Sequence, residues 1–491
     1  MEFFLETLKR NLALYKNRTA FHIEGENATY GQLSKRISSI QQAILQHPAE
    51  HYFGVVARNT LDTYAAIFAL WLSGKTSVPL SPKTPAERNK YILNQVGIAT
   101  IFDAGTKGLE FQEATTITTG ALVASDHRIT FARVSPETNL YLLFTSGSTG
   151  MPKGVQINRE NLQANYEAFF KQVYAFTAAD RCLQVYDLTF DASVQCYTFP
   201  LLAGASVFTV PEEGLKFLAI PKIAQEHRLT FVKMTPSAIY YLQPYFDRIH
   251  LPDVKACVFG AEGLPAELIR KWEKCVPNAR VLNVYGPTEV TINCTVYEWD
   301  RTAENKTING VVAIGKVFSN TKVLIVDEQK NSVTEGTKGE LCLSGNQVTK
   351  GYWMDPLNNG NAFFERDGER FYRTGDLVHR DHEGDIFYLG RIDSQVKIDG
   401  HRIELSEIEN HSIQFTGVKC VAMAQQSNEL AHAIYLFVES TQVSVDGLLQ
   451  HLRTYLPEYM IPAKVHLLEQ MPLLPSGKTD RQQLTKMLDH A

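Results

Sequence analysis

Between residues 181 and 295 the chain alternates short apolar, strand-forming runs with longer segments of helical spacing. The apolar runs are 182–186, 206–210, 231–234, 256–259 and 281–285. The intervening segments 221–227, 236–246 and 265–275 each open with a proline, a residue suited to the first turn of a helix. This alternation predicts an α/β fold with a largely parallel sheet covered by helices. Ligands in such folds collect at the C-terminal ends of the strands. Near residue 393 the texture changes: 395–409 (QVKIDGHRIELSEIE) is strand-like and charge-rich, and the remainder of the chain reads as a small α+β unit. A chain of 491 residues exceeds one ordinary core. The expected division is a large multi-part α/β domain over 1–392 and a small α+β domain over 393–491.

The loops after the apolar runs carry the candidate chemistry. Residues 140–144 lead like a buried strand into TSGSTGMPKG, residues 145–154. Thr145, Ser146, Ser148 and Thr149 bring hydroxyl donors, Gly147, Gly150 and Gly154 let backbone N–H groups approach an anion, and Lys153 adds positive charge. The run is suited to holding a polyphosphate. It is not a Walker loop, which needs Gly-Lys-Ser/Thr together, whereas Pro152 precedes Lys153 and Gly154 follows it. Two further Gly-containing loops, 259–264 (FGAEGL) and 283–289 (NVYGPTE), also follow apolar strands. There Tyr285 offers a face for stacking on a planar base, Asn283 an amide for a base edge, and Glu289 a hard oxygen ligand for magnesium. Asp376, in the Tyr-Arg-Thr-Gly-Asp cluster 372–376, is placed to accept two ribose hydroxyls. A Gly/Ser loop at 474–481 (LPSGKTDR) presents Lys478.

Composition narrows the partners. A net charge of -5, with 44% hydrophobic and 21% charged residues, is that of a globular protein without an overall bias toward nucleic acid. No apolar run reaches the length of a membrane span and the first residues lack a signal-peptide core, so a cytoplasmic location is expected. Seven dispersed cysteines without a CxxC pair predict reduced thiols, and 14 histidines show no HExxH spacing. Metal is expected only as magnesium arriving with a nucleotide.

Nine segments occur together and in order: TYGQL (29–33), SGKTSVPLSPKTPAER (73–88), the phosphate loop, YGPTE (285–289), GELCLSGNQVTKGY (339–352), YRTGD (372–376), the 390–409 segment, LPEYMIP (456–462) and LPSGKTDR. In this the chain resembles the adenylate-forming superfamily, and within it the amino-acid adenylation domains of nonribosomal peptide synthetases and their free-standing relatives. The resemblance implies a large N-terminal domain with a small mobile C-terminal lid. It also implies two half-reactions: a carboxylate attacks the α-phosphorus of MgATP to give an acyl-adenylate and pyrophosphate, then a carrier thiol takes the acyl group and releases AMP. The carboxylate is already ionised at neutral pH, so the first step needs positioning and charge neutralisation rather than a base.

By motif match, the 145–153 loop, with Thr145 and Lys153 foremost, would hold the β- and γ-phosphates. Glu289 would bind magnesium, and Asn283 and Tyr285 the adenine. Gly260, Ala261, Glu262, Gly286 and Thr288 would complete the nucleotide contacts, while Asp376 and Arg391 hold the ribose. Lys478 would bridge the α-phosphate and the substrate carboxylate. Asp393 matches the hinge, and the turn spanning Lys397 and Gly400 would line the thiol's approach.

Phe190-Asp191-Ala192-Ser193 resembles the motif whose aspartate pairs with a substrate α-ammonium. A buried acid in an apolar strand over 189–196 would itself predict a cation. The family's pocket positions carry over to Asp191, Ala192, Gln195, Met234, Val258, Gly260, Val284, Ile292 and Asn293, closed by Lys478. The amides of Gln195 and Asn293 suggest a polar side chain of middle size, unless they pair with protein instead. The chain ends soon after the lysine loop, so a separate carrier bearing a phosphopantetheine arm is expected. Two alternatives stay open: a D-alanine–carrier protein ligase serving teichoic acid alanylation, and a catalytically inactive adenylate-binding protein.

Overall fold

In the computed structural model the described residues are 4–105, 111–112, 114–147, 151–212, 214–393, 395–426, 432–473 and 479–489. The chain divides into two compact units. The first comprises Met1–Pro82, Leu93–Phe144 and Gly154–Ile392; the second takes in Asp393–Ala491 together with Lys83–Ile92 and Thr145–Lys153.

The first unit has a mixed α/β architecture whose central sheet, among the described residues, has nine strands. Six run parallel, in the spatial order Arg280–Tyr285, Ala256–Phe259, Phe231–Met234, Arg181–Gln184, Ser206–Thr209 and Thr19–Ile23. Antiparallel strands close both edges, Glu26–Thr29 on one side and Thr295–Trp299 with Lys316–Val317 on the other. Phe231–Met234 and Ala256–Phe259, in the middle of this sheet, are buried throughout, as a parallel sheet covered on both faces requires. A second sheet carries Asn139–Thr145 and Lys153–Asn158, which flank the phosphate loop. A third, antiparallel sheet contains Glu369–Arg380 and Ile386–Arg391.

Two local expectations change. Pro221 does not open its helix: the helix runs Lys216–Glu226 with the proline inside it. Residues from Asp191 onward are not a strand but the helix Asp191–Leu202, buried on nearly all sides. An apolar run of this length is ambiguous by pattern alone, and here the surrounding strands leave a helical segment as the cover. Asp191 thus stands in the first turn, where the helix dipole favours a negative charge.

The second unit folds around its own apolar core, including Ile403, Ile408, Leu436, Leu448 and Leu452. Its hairpin Gln395–Ile398/His401–Glu404 turns through Asp399 and Gly400, both at positive φ (48° and 80°), an Asp-Gly pairing suited to a two-residue turn. Helix Leu405–Thr416 and the sheet of Cys420–Gln426, His432–Val438 and Lys464–Leu467 come next. Among the described residues no helix is long and apolar enough to cross a membrane.

One buried carboxylate gathers the N-terminal ends of the central strands. Asp180 precedes Arg181–Gln184 and accepts from the Thr177 N–H (2.7 Å) and hydroxyl (2.9 Å), the Tyr174 hydroxyl (3.0 Å) and the Thr230 hydroxyl (2.8 Å). Thr230 leads into Phe231–Met234, and the Asp180 carbonyl accepts from Ser206 N–H at the start of the next strand. Burial pushes this carboxyl upward, but the bonds from Thr177, Thr230 and Tyr174 outweigh it, so it titrates below the ordinary aspartate range. Hydrogen bonds to a charged group contribute about 1.5–3 kcal/mol each. Asp180→Ala should therefore lower unfolding stability by at least ~3 kcal/mol, read by urea denaturation at pH 7. A lowered pKa gives stability that is present above the unfolded aspartate pKa and lost as pH falls through the folded value. The gap between wild type and variant should accordingly close in acid.

Candidate active site

Strand register sorts the site residues of the first unit into two sets. Lys233, Val258 and Leu282 are register partners across three parallel strands, and so are Met234, Phe259 and Asn283. Successive side chains on a strand take opposite faces. Val258 therefore shares a face with Lys233, and Val284, two residues beyond Leu282, continues it. Gly260 follows on that side, where an added Cβ would lie 2.9 Å from the Val284 carbonyl oxygen and 3.1 Å from its Cγ2. Met234 falls on the other face, with Phe259 and Asn283. The structure thus separates Met234 from the pocket positions with which it was grouped and puts Lys233 in its place. The pattern of residues 231–234 is apolar on both sides of the lysine, so nothing in it marks which residue faces a ligand.

The first of these faces centres on helix Asp191–Leu202. The Asp191 carboxylate turns inward: its Oδ2 is buried and has no hydrogen-bond partner among the described residues. Burial pushes its carboxyl above the usual range, opposed by the Thr288 hydroxyl and by the charge of Lys233. One helical turn on, Gln195 donates to Asn165 Oδ1 (3.2 Å) and Asn293 Oδ1 (3.0 Å) and accepts from the Lys233 ammonium. Asn165 donates in turn to the Asn293 carbonyl (2.8 Å) and Oδ1 (3.2 Å). The amides of Gln195 and Asn293 are thus partly held by protein, the second of the two arrangements open from the sequence. Asn165 and Lys233 were not legible as site residues, since a helical asparagine and a strand lysine carry no motif.

The loop that presents Asn293 is strained. Thr291 and Ile292 both have positive φ, 54° and 73°, which β-branched residues avoid. It is held by the Thr291 hydroxyl on the Gln347 carbonyl (2.6 Å) and by Gln347 Nε2 on the Asn293 carbonyl (2.9 Å). Gly286 permits the close packing: a Cβ there would lie 2.3 Å from Asn293 Cα. Glu289, fully buried, accepts from the Tyr352 hydroxyl (2.7 Å). Glu262, two residues beyond Gly260, accepts from Ser237 N–H (3.0 Å) and from its hydroxyl, and Ala261 between them has φ 73°.

The opposite face leads to a second cluster. Asn283 donates to the Ala313 carbonyl (3.0 Å), and the Tyr285 hydroxyl donates to Asp376 Oδ2. Antiparallel register places Asp376 directly opposite Arg391, whose Nη1 reaches Oδ1 at 2.8 Å and the Thr374 carbonyl at 2.6 Å. Burial and the Asp376 charge push the Tyr285 phenol well above its ordinary range. A carboxylate accepts about four hydrogen bonds, so Asp376 keeps capacity for a vicinal diol.

Within the second unit, the phosphate-loop residues lie beside carboxylates. The Ser146 hydroxyl donates to the Arg402 carbonyl (2.7 Å), Gly147 N–H to Glu407 Oε2 (3.3 Å), and Lys153 stands 3.8 Å from Glu404. Glu407 is also paired with Arg88 at 2.7 Å. Thr145 Oγ1 is buried with no partner among the described residues. Of these groups, Gly147 N–H and Lys153 face carboxylates, whereas Ser146 donates to a neutral carbonyl. Gln395 N–H donates to Asp393 Oδ1 (3.1 Å), and Lys397 and Gly400 belong to the hairpin Gln395–Ile398/His401–Glu404. Ser148, Thr149, Gly150 and Lys478 lie outside the described residues.

A family model described as AMP-binding enzyme matches residues 8–353. Tyrocidine synthase 1 of Brevibacillus parabrevis is 30% identical over 96% of the chain, which spans 44% of that protein. Zwittermicin A synthase ZmaJ of Bacillus cereus is 30% identical, with 94% of this chain and 90% of that one covered. The solved structure of the Vibrio cholerae adenylation domain AlmE in complex with glycyl-adenosine-5'-phosphate matches with a TM-score of 0.89 and 26% identity, over 100% of this chain and 98% of that one.

Gly286→Ala tests the tight loop. Overpacking of this kind costs roughly 1–3 kcal/mol, so the variant should melt several degrees below wild type.

Proposed function

The chain belongs to the AMP-binding enzyme family, and from that premise we propose that this AMP-forming ligase activates an amino acid as its adenylate and passes the acyl group to the thiol of a separate carrier protein. Tyrocidine synthase 1, of which the chain spans under half, and ZmaJ support an amino acid as the acid activated. The AlmE structure, with its glycyl adenylate, supports the same chemistry. The observation that carries the reading is Asp191: a carboxylate with a buried, unsatisfied oxygen asks for a cation, and an α-ammonium is one.

In this reading the substrate ammonium binds Asp191 and leaves the α-carboxylate directed at the nucleotide. Asp376, held by Tyr285 and Arg391, accepts the ribose hydroxyls. Thr145, Ser146, Gly147 and Lys153 hold the β- and γ-phosphates, and Glu289 offers the carboxylate for the magnesium that accompanies ATP. Charge on the α-phosphate during attack falls to Lys478. These roles need preorganised donors and no proton transfer from the attacking carboxylate.

ATP–pyrophosphate exchange against L- and D-amino acids tests the reading directly. Selective exchange with one amino acid is expected, and exchange with none would remove the adenylation assignment. Preference for D-alanine would instead place the protein with carrier ligases for cell-wall alanylation. Asp376→Ala should raise the KM for ATP at least tenfold. Asp191→Ala should lower kcat/KM for the amino acid at least a hundredfold, the scale of a buried ion pair losing one partner. Lys478→Ala should abolish exchange while sparing thioester formation from preformed adenylate.

A further inference from the structure

Lys233 is buried on the substrate face, 3% exposed, and the bonds it already makes define its role. Its ammonium carries three donors, and among the described residues one is used, on Gln195 Oε1. That acceptor is neutral. The carboxylate that supports its charge is Asp191, close enough for each to favour the other's ionised form, yet no ion pair within 4 Å joins them. A second donor stands beside the first. Asn293 Oδ1 already accepts from Gln195 and Asn165, which settles the orientation of that amide and leaves Nδ2 buried without a partner among the described residues.

We propose that Lys233, with Asn293 Nδ2, binds a side-chain carboxylate, so that the amino acid activated is an acidic one. The inference deepens the adenylation reading and rests on it. Charge balance carries the argument. Asp191 and Lys233 offset one another across a gap. Once a substrate ammonium pairs with Asp191, the lysine loses that support, and a neutral side chain would leave it buried and uncompensated. A side-chain carboxylate restores neutrality and supplies acceptors for both orphan donors. The α-carboxylate cannot serve, because it must remain free to attack phosphorus. Spacing agrees: Gln195, which holds the Lys233 ammonium, lies one helical turn beyond Asp191, about 6 Å along the helix. An amide side chain could accept from Lys233 but would leave the charge unmatched. Burial pulls the Lys233 pKa down, opposed by Cys196 and Asp191; an arriving carboxylate would hold its charged form in place.

The test is pyrophosphate exchange with the full chain, comparing aspartate, glutamate and 2-aminoadipate, in both hands, with asparagine, glutamine, alanine and leucine. One acidic amino acid should exceed its amide isostere at least tenfold in kcat/KM. Lys233→Met removes the charge at nearly constant volume. It should lower kcat/KM for that acid at least a hundredfold and for the amide by no more than a few-fold, reversing the preference; Lys233→Arg should keep the preference for acid. A wild type that prefers a neutral or amide substrate overturns the inference while leaving adenylation standing, as does an acid-to-amide ratio unchanged in Lys233→Met. Exchange with no amino acid sinks the adenylation reading. Calorimetric titration of the same acids then decides the inference alone: binding weakened tenfold or more by Lys233→Met supports it, and no binding overturns it.

Discussion

Successive residues on a β-strand face opposite sides of the sheet, and in this protein that two-residue period divides one parallel sheet between two kinds of chemistry. Lys233, Val258 and Val284 look toward helix Asp191–Leu202, where charges and amides are buried. Asn283 and Tyr285 look the other way, toward Asp376 and Arg391. A shift of one residue in the register would exchange the two sets. The network around Asp180 is therefore more than a local tie, because it locks the starts of the strands whose far ends carry the site.

The face toward helix Asp191–Leu202 illustrates how polar groups are kept where burial penalises them. Gln195, Asn165 and Asn293 satisfy one another through four hydrogen bonds, and the strained backbone at Thr291 and Ile292 is held by Gln347. What this network does not satisfy is as informative as what it does. Asp191 Oδ2, Asn293 Nδ2 and the remaining donors of Lys233 converge on one side of the sheet, and each is expensive to leave unmatched.

Much of this was legible in the chain. Hydroxyls, glycines and a lysine at 145–154 stand out because few tasks need that composition, and Asp191, Glu289 and Asp376 stand out as acids within distinct motifs, although Asp376 lies inside the strand Glu369–Arg380 and not at its end. Strand–helix alternation gave the parallel sheet correctly. Other features were not legible. Residues 191–202 are apolar on nearly every position, so periodicity could not separate a buried helix from a strand. Pro221 marks a helix but not its start, since the surrounding packing carries the helix back to Lys216.

The sequence by itself determined the family, the α/β architecture and the inventory of groups for a nucleotide, because those rest on local composition and on motifs contiguous in the chain. Only the tertiary structure decided which of Lys233 and Met234 faces the helix, and that Gln195, Asn165 and Asn293, up to 128 residues apart, close on one another. The reason is physical: a one-residue choice of strand face depends on register with neighbouring strands, and a buried charge acquires meaning only from the groups that fold around it.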